Sequence, residues 1–185
     1  MSPSVLTLFR DMNTFEANLL IQINNFLSCP FLDGLFSFVS FLGNKGAIWI
    51  VTALILSIIP KTRKCGFCMM ISLVLCLIIG NGILKPLFAR VRPYNHSDLI
   101  VLITKPLSDY SFPSGHTMAS FASGFSVYAF YKKSGIAALL FALVMGFSRI
   151  YLCMHYPSDV IGGIIFGLVF GFVSYTITKK LRVGI

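Results

Sequence analysis

The chain has 185 residues, of which 56% are hydrophobic and 11% are charged. Soluble domains carry charge on about a quarter of their residues, so this composition and the mean hydropathy of +0.84 argue against a water-soluble monomer and indicate a polytopic membrane protein. The 15 Lys and Arg residues outnumber the 6 Asp and Glu residues and give a net charge of +9. In a membrane chain this excess indicates basic loops on the cytoplasmic side and not a nucleic-acid partner.

The N-terminal part of the chain predicts a helix at the membrane surface. No cleavable signal peptide is expected, because charged residues interrupt the start of the chain before any apolar core. Apolar residues from Leu19 to Leu27 follow helical spacing among polar ones, as in an interfacial helix. The apolar stretch 31–42 is short; it predicts a further span but leaves open whether 14–42 crosses the membrane completely.

The remaining apolar segments predict the rest of a helix bundle. Segment 43–59 contains Trp49 and ends at Pro60, which cannot continue a helix. Four later segments have close to the ~20 residues that cross about 30 Å of hydrocarbon. We therefore predict an all-α polytopic membrane bundle of six transmembrane helices, preceded by an interfacial helix and forming a single domain over residues 1–185. The four later segments are 65–84, 113–131, 135–152 and 160–178.

Basic clusters predict the topology of this bundle. If the spans alternate, three clusters fall on one face, which the positive-inside bias makes cytoplasmic, together with both termini. Segments 85–112 and 153–158 then lie together on the extracytoplasmic face. The clusters are Lys61, Arg63 and Lys64; Lys132 and Lys133; and Lys179, Lys180 and Arg182.

Small residues and cysteines have structural interpretations. A glycine stripe on the last predicted helix indicates close helix packing and not a ligand site. Cys65 and Cys68 form a C-x-x-C pattern without a second cysteine pair or a nearby histidine, so we expect buried thiols and not a redox or zinc site. Because the five cysteines are an odd number, no disulfide framework is expected. The glycines of the stripe are Gly163, Gly167 and Gly171.

The first of three polar stretches on the predicted outer face is a cluster of cations. Lys85, Arg90 and Arg92 follow directly after an apolar segment. The positive-inside bias would place such charges on the other face, so their position indicates an anionic ligand.

The second stretch begins a span. A proline and serines there are ordinary signals for the start of a helix, but the histidine is not. Ser114 and Gly115 would stand where unpaired N–H groups can bind a phosphate. His116 would stand beside them, able to give or take a proton.

The third stretch connects the last two spans. His155 and Asp159 are four residues apart, so one turn of helix would let the carboxylate meet one imidazole nitrogen and leave the other nucleophilic. Together with Arg149, these groups supply cations, backbone donors, a proton donor and a nucleophile, which is the inventory that phosphoryl transfer requires. No metal or other cofactor is expected.

The three polar stretches resemble the motifs of a known family. The three patterns are similar, in order and spacing, to the signature motifs of the type 2 phosphatidic acid phosphatase superfamily. The resemblance implies a membrane core of six helices, metal-independent hydrolysis and a site at the outer membrane surface. The patterns are Lys85-x6-Arg92-Pro93, Pro113-Ser114-Gly115-His116 and Ser148-Arg149-x5-His155-x3-Asp159.

The same resemblance implies a role for each motif residue. His155 would attack phosphorus with Asp159 orienting it, and His116 would protonate the leaving oxygen. Arg90 lies outside the family pattern and is interpreted as auxiliary, facing lipid headgroups. The phosphate-binding residues would be Lys85, Arg92, Ser114, Gly115 and Arg149.

The substrate implied is a lipid phosphate within the membrane. Small bacterial members of the family act on phosphatidic acid, phosphatidylglycerol phosphate or undecaprenyl diphosphate, and the sequence does not choose among these or fix the oligomeric state. The alternative is a non-catalytic lipid-phosphate binder or carrier that uses the same basic pocket. The haloperoxidase chemistry of related soluble proteins fits this membrane composition poorly.

Overall fold

The protein is all-helical over the residues that the computed structural model describes, which are 3–181 for the backbone and 12–181 for the side chains. This confirms the predicted fold class. A 3₁₀ turn, Asn44–Gly46, joins the second helix to the third, and π-helical turns, Cys76–Leu84, continue the fourth helix into the fifth. In chain order the α-helices are α1 (Pro3–Leu27), α2 (Pro30–Leu42), α3 (Ala47–Ile58), α4 (Arg63–Leu75), α5 (Lys85–Phe88), α6 (Pro93–His96), α7 (Gly115–Phe130), α8 (Lys132–Tyr151) and α9 (Pro157–Lys180).

Helix α7 forms the centre of the bundle, packed between α4, α8 and α9. The glycine stripe of α9 lies directly on its backbone: a Cβ added at any of the three glycines would stand 2.6 to 2.9 Å from a carbonyl oxygen of α7 or of Ser114, the residue before it. No side-chain carbon fits at that distance, so the predicted role of the stripe in close packing is confirmed. The glycines Gly163, Gly167 and Gly171 face the carbonyl oxygens of Ser114, Met118 and Ala122, respectively.

The outside of the bundle is apolar and its interior contains many hydroxyl groups. Buried serines lie between the helices, and Trp49 donates from its indole nitrogen to the Ser120 hydroxyl oxygen at 2.8 Å. This distribution suits a lipid solvent, in which small and hydroxyl-bearing residues pack helices together. Large exposed apolar residues include Leu54, Ile58, Leu140, Ile165 and Phe172.

The predicted helical segments are present, but the count of six spans is not confirmed. By length and composition, three described helical stretches can cross a membrane: Arg63–His96, Lys132–Tyr151 and Pro157–Lys180. Helices α2 and α3, predicted as two spans, are each too short to cross alone. Together they are long and apolar enough to cross, but as a pair bent by 44°, that is, as a broken span or a re-entrant loop. Helix α7, with 16 residues, is about 24 Å long.

The two ends of the bundle carry different groups. At one end, the Tyr131 hydroxyl donates to the Lys61 carbonyl oxygen at 2.8 Å, and Phe130 packs on Tyr175 of α9, which brings the basic clusters together. Helix α1 crosses the opposite end, where the Asn24 amide donates to the Tyr151 carbonyl oxygen at 3.3 Å. Arg182, assigned to the third cluster, lies outside the described residues, and the side of the membrane on which each end lies stays a prediction.

Candidate active site

The three polar stretches meet at the end of the bundle that α1 crosses. Arg92, after α5, donates from Nη1 to the Met154 carbonyl oxygen at 2.7 Å in the turn between α8 and α9. The Ser114 N–H, at the start of α7, donates to the Asp159 carbonyl oxygen at 3.0 Å at the start of α9. The chain therefore gathers residues up to 74 positions apart, from Lys85 to Asp159, in one site.

His155 is a buried titratable group of this site. Its Nδ1 lies 3.4 Å from Asp159 Oδ2, within reach of an ion pair but outside hydrogen-bond geometry. Its Nε2 lies 3.2 Å from Arg92 Nη1. Because a guanidinium can only donate, Nε2 carries the lone pair and the proton of the neutral ring sits on Nδ1, toward Asp159.

The environment of His155 also favours its neutral form. Burial penalises the charged ring, and the positive charges of Arg92, Arg149 and Lys85 repel a further one, so the pKa of His155 lies well below its usual value of 6.5. At neutral pH the imidazole is therefore uncharged and its Nε2 lone pair is available.

Asp159 is fully buried and held by several donors. Its Oδ1 accepts from Arg90 Nη1 at 2.6 Å. Its Oδ2 accepts from the Ser111 hydroxyl and, at 2.9 Å, from the Tyr156 backbone N–H, as a carboxylate does in the first turn of a helix. The carboxylate thus caps α9 and also lies next to His155.

Arg90 corrects the sequence-based interpretation. It was predicted as an auxiliary residue facing lipid headgroups, but it is buried and pairs with Asp159 and, at 2.6 Å, with Glu16 Oε2. Ala89 adopts a left-handed backbone (φ 45°) that ends α5, and Arg90 follows this turn into the protein. Its guanidinium lies 4.1 Å from the centre of the Tyr156 ring, a cation–π contact.

Glu16 is a contribution of α1 that sequence reasoning missed. Besides Arg90, its carboxylate accepts from the Ser158 N–H at 2.8 Å and from the Ser158 hydroxyl at 2.7 Å, both in the first turn of α9. The helix expected to lie at the membrane surface therefore places a charge in the polar network of the site. The one feature of the sequence that could have indicated Glu16 is the small number of acidic residues, six in the whole chain.

Lys85, Arg92 and Arg149 are the cations that the motifs place in the site, and all three are buried. Arg149 donates from Nη1 to the Ser40 hydroxyl of α2, and its Nε has no hydrogen-bond partner among the described residues. Lys85 and Arg92 both bind the carboxylate of Asp109, a loop residue that sequence reasoning did not single out.

The start of α7 lies against these cations. A Cβ added to Gly115 would stand 3.2 Å from Asn81 Oδ1 and 3.9 Å from Lys85 Nζ, so the backbone at the start of α7 lies beside both side chains. The polar groups of Ser114 are engaged within the protein, since its hydroxyl lies 2.9 Å from that of Thr117 and its N–H binds Asp159. His116 Nε2 lies 3.2 Å from Asn44 Oδ1, in the bend between α2 and α3, another contact that was not predicted.

Other candidate groups lie outside the site. Cys65 and Cys68 are buried in α4. His96 Nε2 lies 3.2 Å from the Thr14 hydroxyl and ties α6 to α1. No three His, Cys, Asp or Glu side chains within residues 12–181 gather as a metal-ligand group.

Comparisons with known proteins identify the family to which the chain belongs. The sequence is 31% identical over 159 residues to an undecaprenyl-diphosphatase of Sulfolobus acidocaldarius, covering 85% of this chain and 76% of that protein. It is 30% identical over 184 residues to a lipid A 4'-phosphatase of Bacteroides thetaiotaomicron, covering 92% and 80%. These names confirm the predicted class, a membrane lipid phosphatase. The profile of the PAP2 superfamily matches residues 63–182, and the chain belongs to that superfamily.

Solved structures share the fold. The crystal structure of LpxE from Aquifex aeolicus superposes with a TM-score of 0.70 and 28% identity, covering 86% of this chain and 93% of that one. A PAP2-type phosphatidylglycerolphosphate phosphatase from Bacillus subtilis superposes with a TM-score of 0.67 and 22% identity, covering 98% and 90%. The arrangement of helices described above is therefore that of membrane PAP2 proteins.

Proposed function

We propose that the protein hydrolyses the phosphate or diphosphate headgroup of a membrane lipid through a phosphohistidine intermediate, without a metal ion, at the extracytoplasmic face. The observation that carries the proposal is His155: a buried, neutral imidazole whose Nε2 lone pair faces Arg92 and whose Nδ1 faces Asp159. A pocket that only bound an anion would need the cations but no such nucleophile.

In the proposed first step, His155 Nε2 forms a bond to phosphorus while the bond from phosphorus to the lipid oxygen breaks. His116, in its protonated form, donates a proton to the departing oxygen and becomes neutral, and Asp159 stabilises the His155 imidazole as it becomes positively charged. In the second step His116 removes a proton from water, whose oxygen attacks phosphorus, and the bond to His155 breaks to release inorganic phosphate.

The cations of the site have an electrostatic task in both steps. Lys85, Arg92 and Arg149, with the N–H of Gly115, would bind the phosphoryl oxygens and offset the charge that develops on them. Because these side chains are buried, their charges act with little screening by water. Ser114 would act indirectly, by holding the start of α7 against that of α9. The candidate substrates are undecaprenyl diphosphate, phosphatidylglycerol phosphate and phosphatidic acid.

The test is release of inorganic phosphate by the purified protein in detergent, measured side by side on the three candidate substrates. We expect release from at least one of them in excess EDTA, and a loss of at least about a thousandfold in kcat for His155→Ala. His96→Ala is the matched control, since it removes a histidine that lies outside the site and hydrogen-bonds Thr14 of α1. Loss of activity in EDTA with recovery in Mg²⁺ would refute the metal-independent scheme. Lipid-phosphate binding without any release would favour a carrier.

A further inference from the structure

The carboxylate of Asp109 bridges two cations of the site, Lys85 and Arg92. Its Oδ1 accepts from Arg92 Nη2 at 2.6 Å, and its Oδ2 accepts from Lys85 Nζ. The side chains of Lys85 and Arg92 are 6% and 1% exposed, whereas that of Asp109 is 49% exposed. Two carboxylate oxygens thus stand where two oxygens of a phosphate bound to these cations would stand.

Arg92 has no donor to spare while Asp109 is bound. Its Nε donates to the Asp109 carbonyl oxygen at 2.8 Å, and its Nη2 also donates to the Tyr110 carbonyl oxygen at 3.3 Å. Its Nη1 faces Met154 and His155. A guanidinium has five N–H groups, and these contacts use all of them. Of these partners, the Asp109 carboxylate is the one on an exposed side chain, since Tyr110 and Met154 contribute backbone carbonyls and the His155 ring is buried, so it can leave by side-chain rotation alone.

The balance of charge favours this exchange for a dianion. Four cations, on Lys85, Arg90, Arg92 and Arg149, share the site with three carboxylates, on Glu16, Asp109 and Asp159, an excess of one. Without Asp109 the excess is two, which matches a doubly charged phosphate. Burial raises the pKa of Asp109, but Lys85 and Arg92 outweigh it and hold that pKa at about 2, so the carboxylate stays charged at neutral pH.

We propose that Asp109 is an intramolecular competitor for phosphate: it leaves Lys85 and Arg92 when the lipid headgroup binds and returns to displace inorganic phosphate after hydrolysis. The identity of the displaced group as a reaction product rests on the phosphatase function proposed above. The exchange makes and breaks only ion pairs, so no covalent step is involved.

Competition of this kind lowers the affinity for substrate and product by the same factor, but only the substrate has a further contact that retains it. A tethered group lowers the affinity of every ligand that needs the same cations, since binding requires the fraction of molecules in which the site is open. A lipid substrate is also retained by its tail in the membrane, whereas inorganic phosphate is bound by the cations alone. Asp109 therefore shortens the residence of the product while the tail retains the substrate.

The experiment measures the dissociation constant of inorganic phosphate by calorimetry for the full chain in detergent micelles. If Asp109 occupies the cations about nine-tenths of the time, Asp109→Asn and Asp109→Ala should each bind phosphate about tenfold more tightly. Asp98→Asn is the matched control, because it removes the same charge from an exposed position of the same loop and should change the constant less than about twofold. Equal or weaker binding by both Asp109 variants would overturn the proposal and make Asp109 a support for the cations.

A kinetic arm uses the same proteins with an accepted lipid substrate. For Asp109→Asn we expect KM and the inhibition constant of inorganic phosphate to fall by a common factor of about ten, because both ligands lose the same competitor. An inhibition constant that stays at the wild-type value would contradict the proposal. If the wild-type protein hydrolyses no lipid phosphate, the proposed function fails, but the calorimetric result still decides whether Asp109 competes for the anion site.

Discussion

At the scale of single residues, the site depends on keeping one imidazole neutral among several cations. Three positive side chains and burial both oppose protonation of His155, while Asp159 is near enough to stabilise a charge that forms later. The ring is thus neutral at the start of the proposed reaction, with one proton on Nδ1, and becomes positive only as the bond from Nε2 to phosphorus forms. The same cations that bind the phosphate also prepare the nucleophile.

This arrangement predicts where His155 titrates. Because its pKa in the folded protein is lowered, the ring should stay neutral as the pH falls through 6.5 and become protonated only well below that value. ¹⁵N NMR of histidine-labelled protein in micelles would follow the ring nitrogens, with His155→Gln assigning the signal and the denatured chain supplying the reference. A midpoint at or above 6.5 would contradict the prediction.

The sequence reveals the motif residues of the site but not all of their partners. Lys85, Arg92 and His155 stand in recognisable patterns, because their chemistry depends on local spacing. Arg90 and Asp109 could not be placed in the same way, since a left-handed turn at Ala89 directs the first and a loop folding back over Arg92 delivers the second. Such long-range contacts leave no periodic trace in a single sequence.

At the scale of helices, α1, which the sequence predicts to lie at the membrane surface, also contributes to the polar network of the site. Glu16 connects α1 to Arg90 and to the first turn of α9. The guanidinium of Arg90 therefore pairs with two carboxylates, those of Glu16 and Asp159. Without the charge of Glu16, the ion pair between Arg90 and Asp159 would be stronger, and Asp159 would stabilise a positive charge on His155 less well. We therefore regard Glu16 as a positioning residue for the proposed reaction.

The prediction for Glu16 is a specific loss in kcat. Glu16→Gln should lower kcat about tenfold with little change in KM, as with other partners of catalytic groups, and Glu16→Asp should restore part of it. Lipid phosphatase assays on equal amounts of folded protein would measure both constants, with Asp98→Asn as the control for charge. A variant that melts at a lower temperature but keeps its kcat would show that Glu16 serves only to dock α1.

The break between α2 and α3 shows what hydropathy does not report. The sequence predicted two separate spans at 31–42 and 43–59, whereas the structure bends one chain segment at Asn44–Gly46, where Lys45 and Gly46 both have positive φ. The bend brings Asn44 to His116, and Gly43 lies so close that an added Cβ would stand 2.7 Å from the histidine ring. Hydropathy located the apolar residues correctly but could not show that this break lies beside a proposed proton donor.

At the scale of the whole molecule, charge separates into two groups with different partners. The basic connections at one end have exposed side chains, as at Lys133, and suit the surface of the cytoplasmic leaflet. At the other end four cations, Lys85, Arg90, Arg92 and Arg149, are buried and face carboxylates or the proposed phosphate position. If the predicted topology holds, the net charge of +9 is mainly a topological signal, and only a minority of the basic residues lies in the site.

This division predicts which end faces outward, and cysteine labelling tests it. Among the described cysteines only Cys29 is exposed, so Cys29→Ser supplies a background of buried thiols. In intact cells, a membrane-impermeant maleimide should modify Asp98→Cys, at the end with the site, and should leave Lys133→Cys unmodified until the membrane is permeabilised. Both positions are exposed, so access and not burial decides the result. The reverse pattern would place the site in the cytoplasm and restrict its substrates to lipids of the inner leaflet.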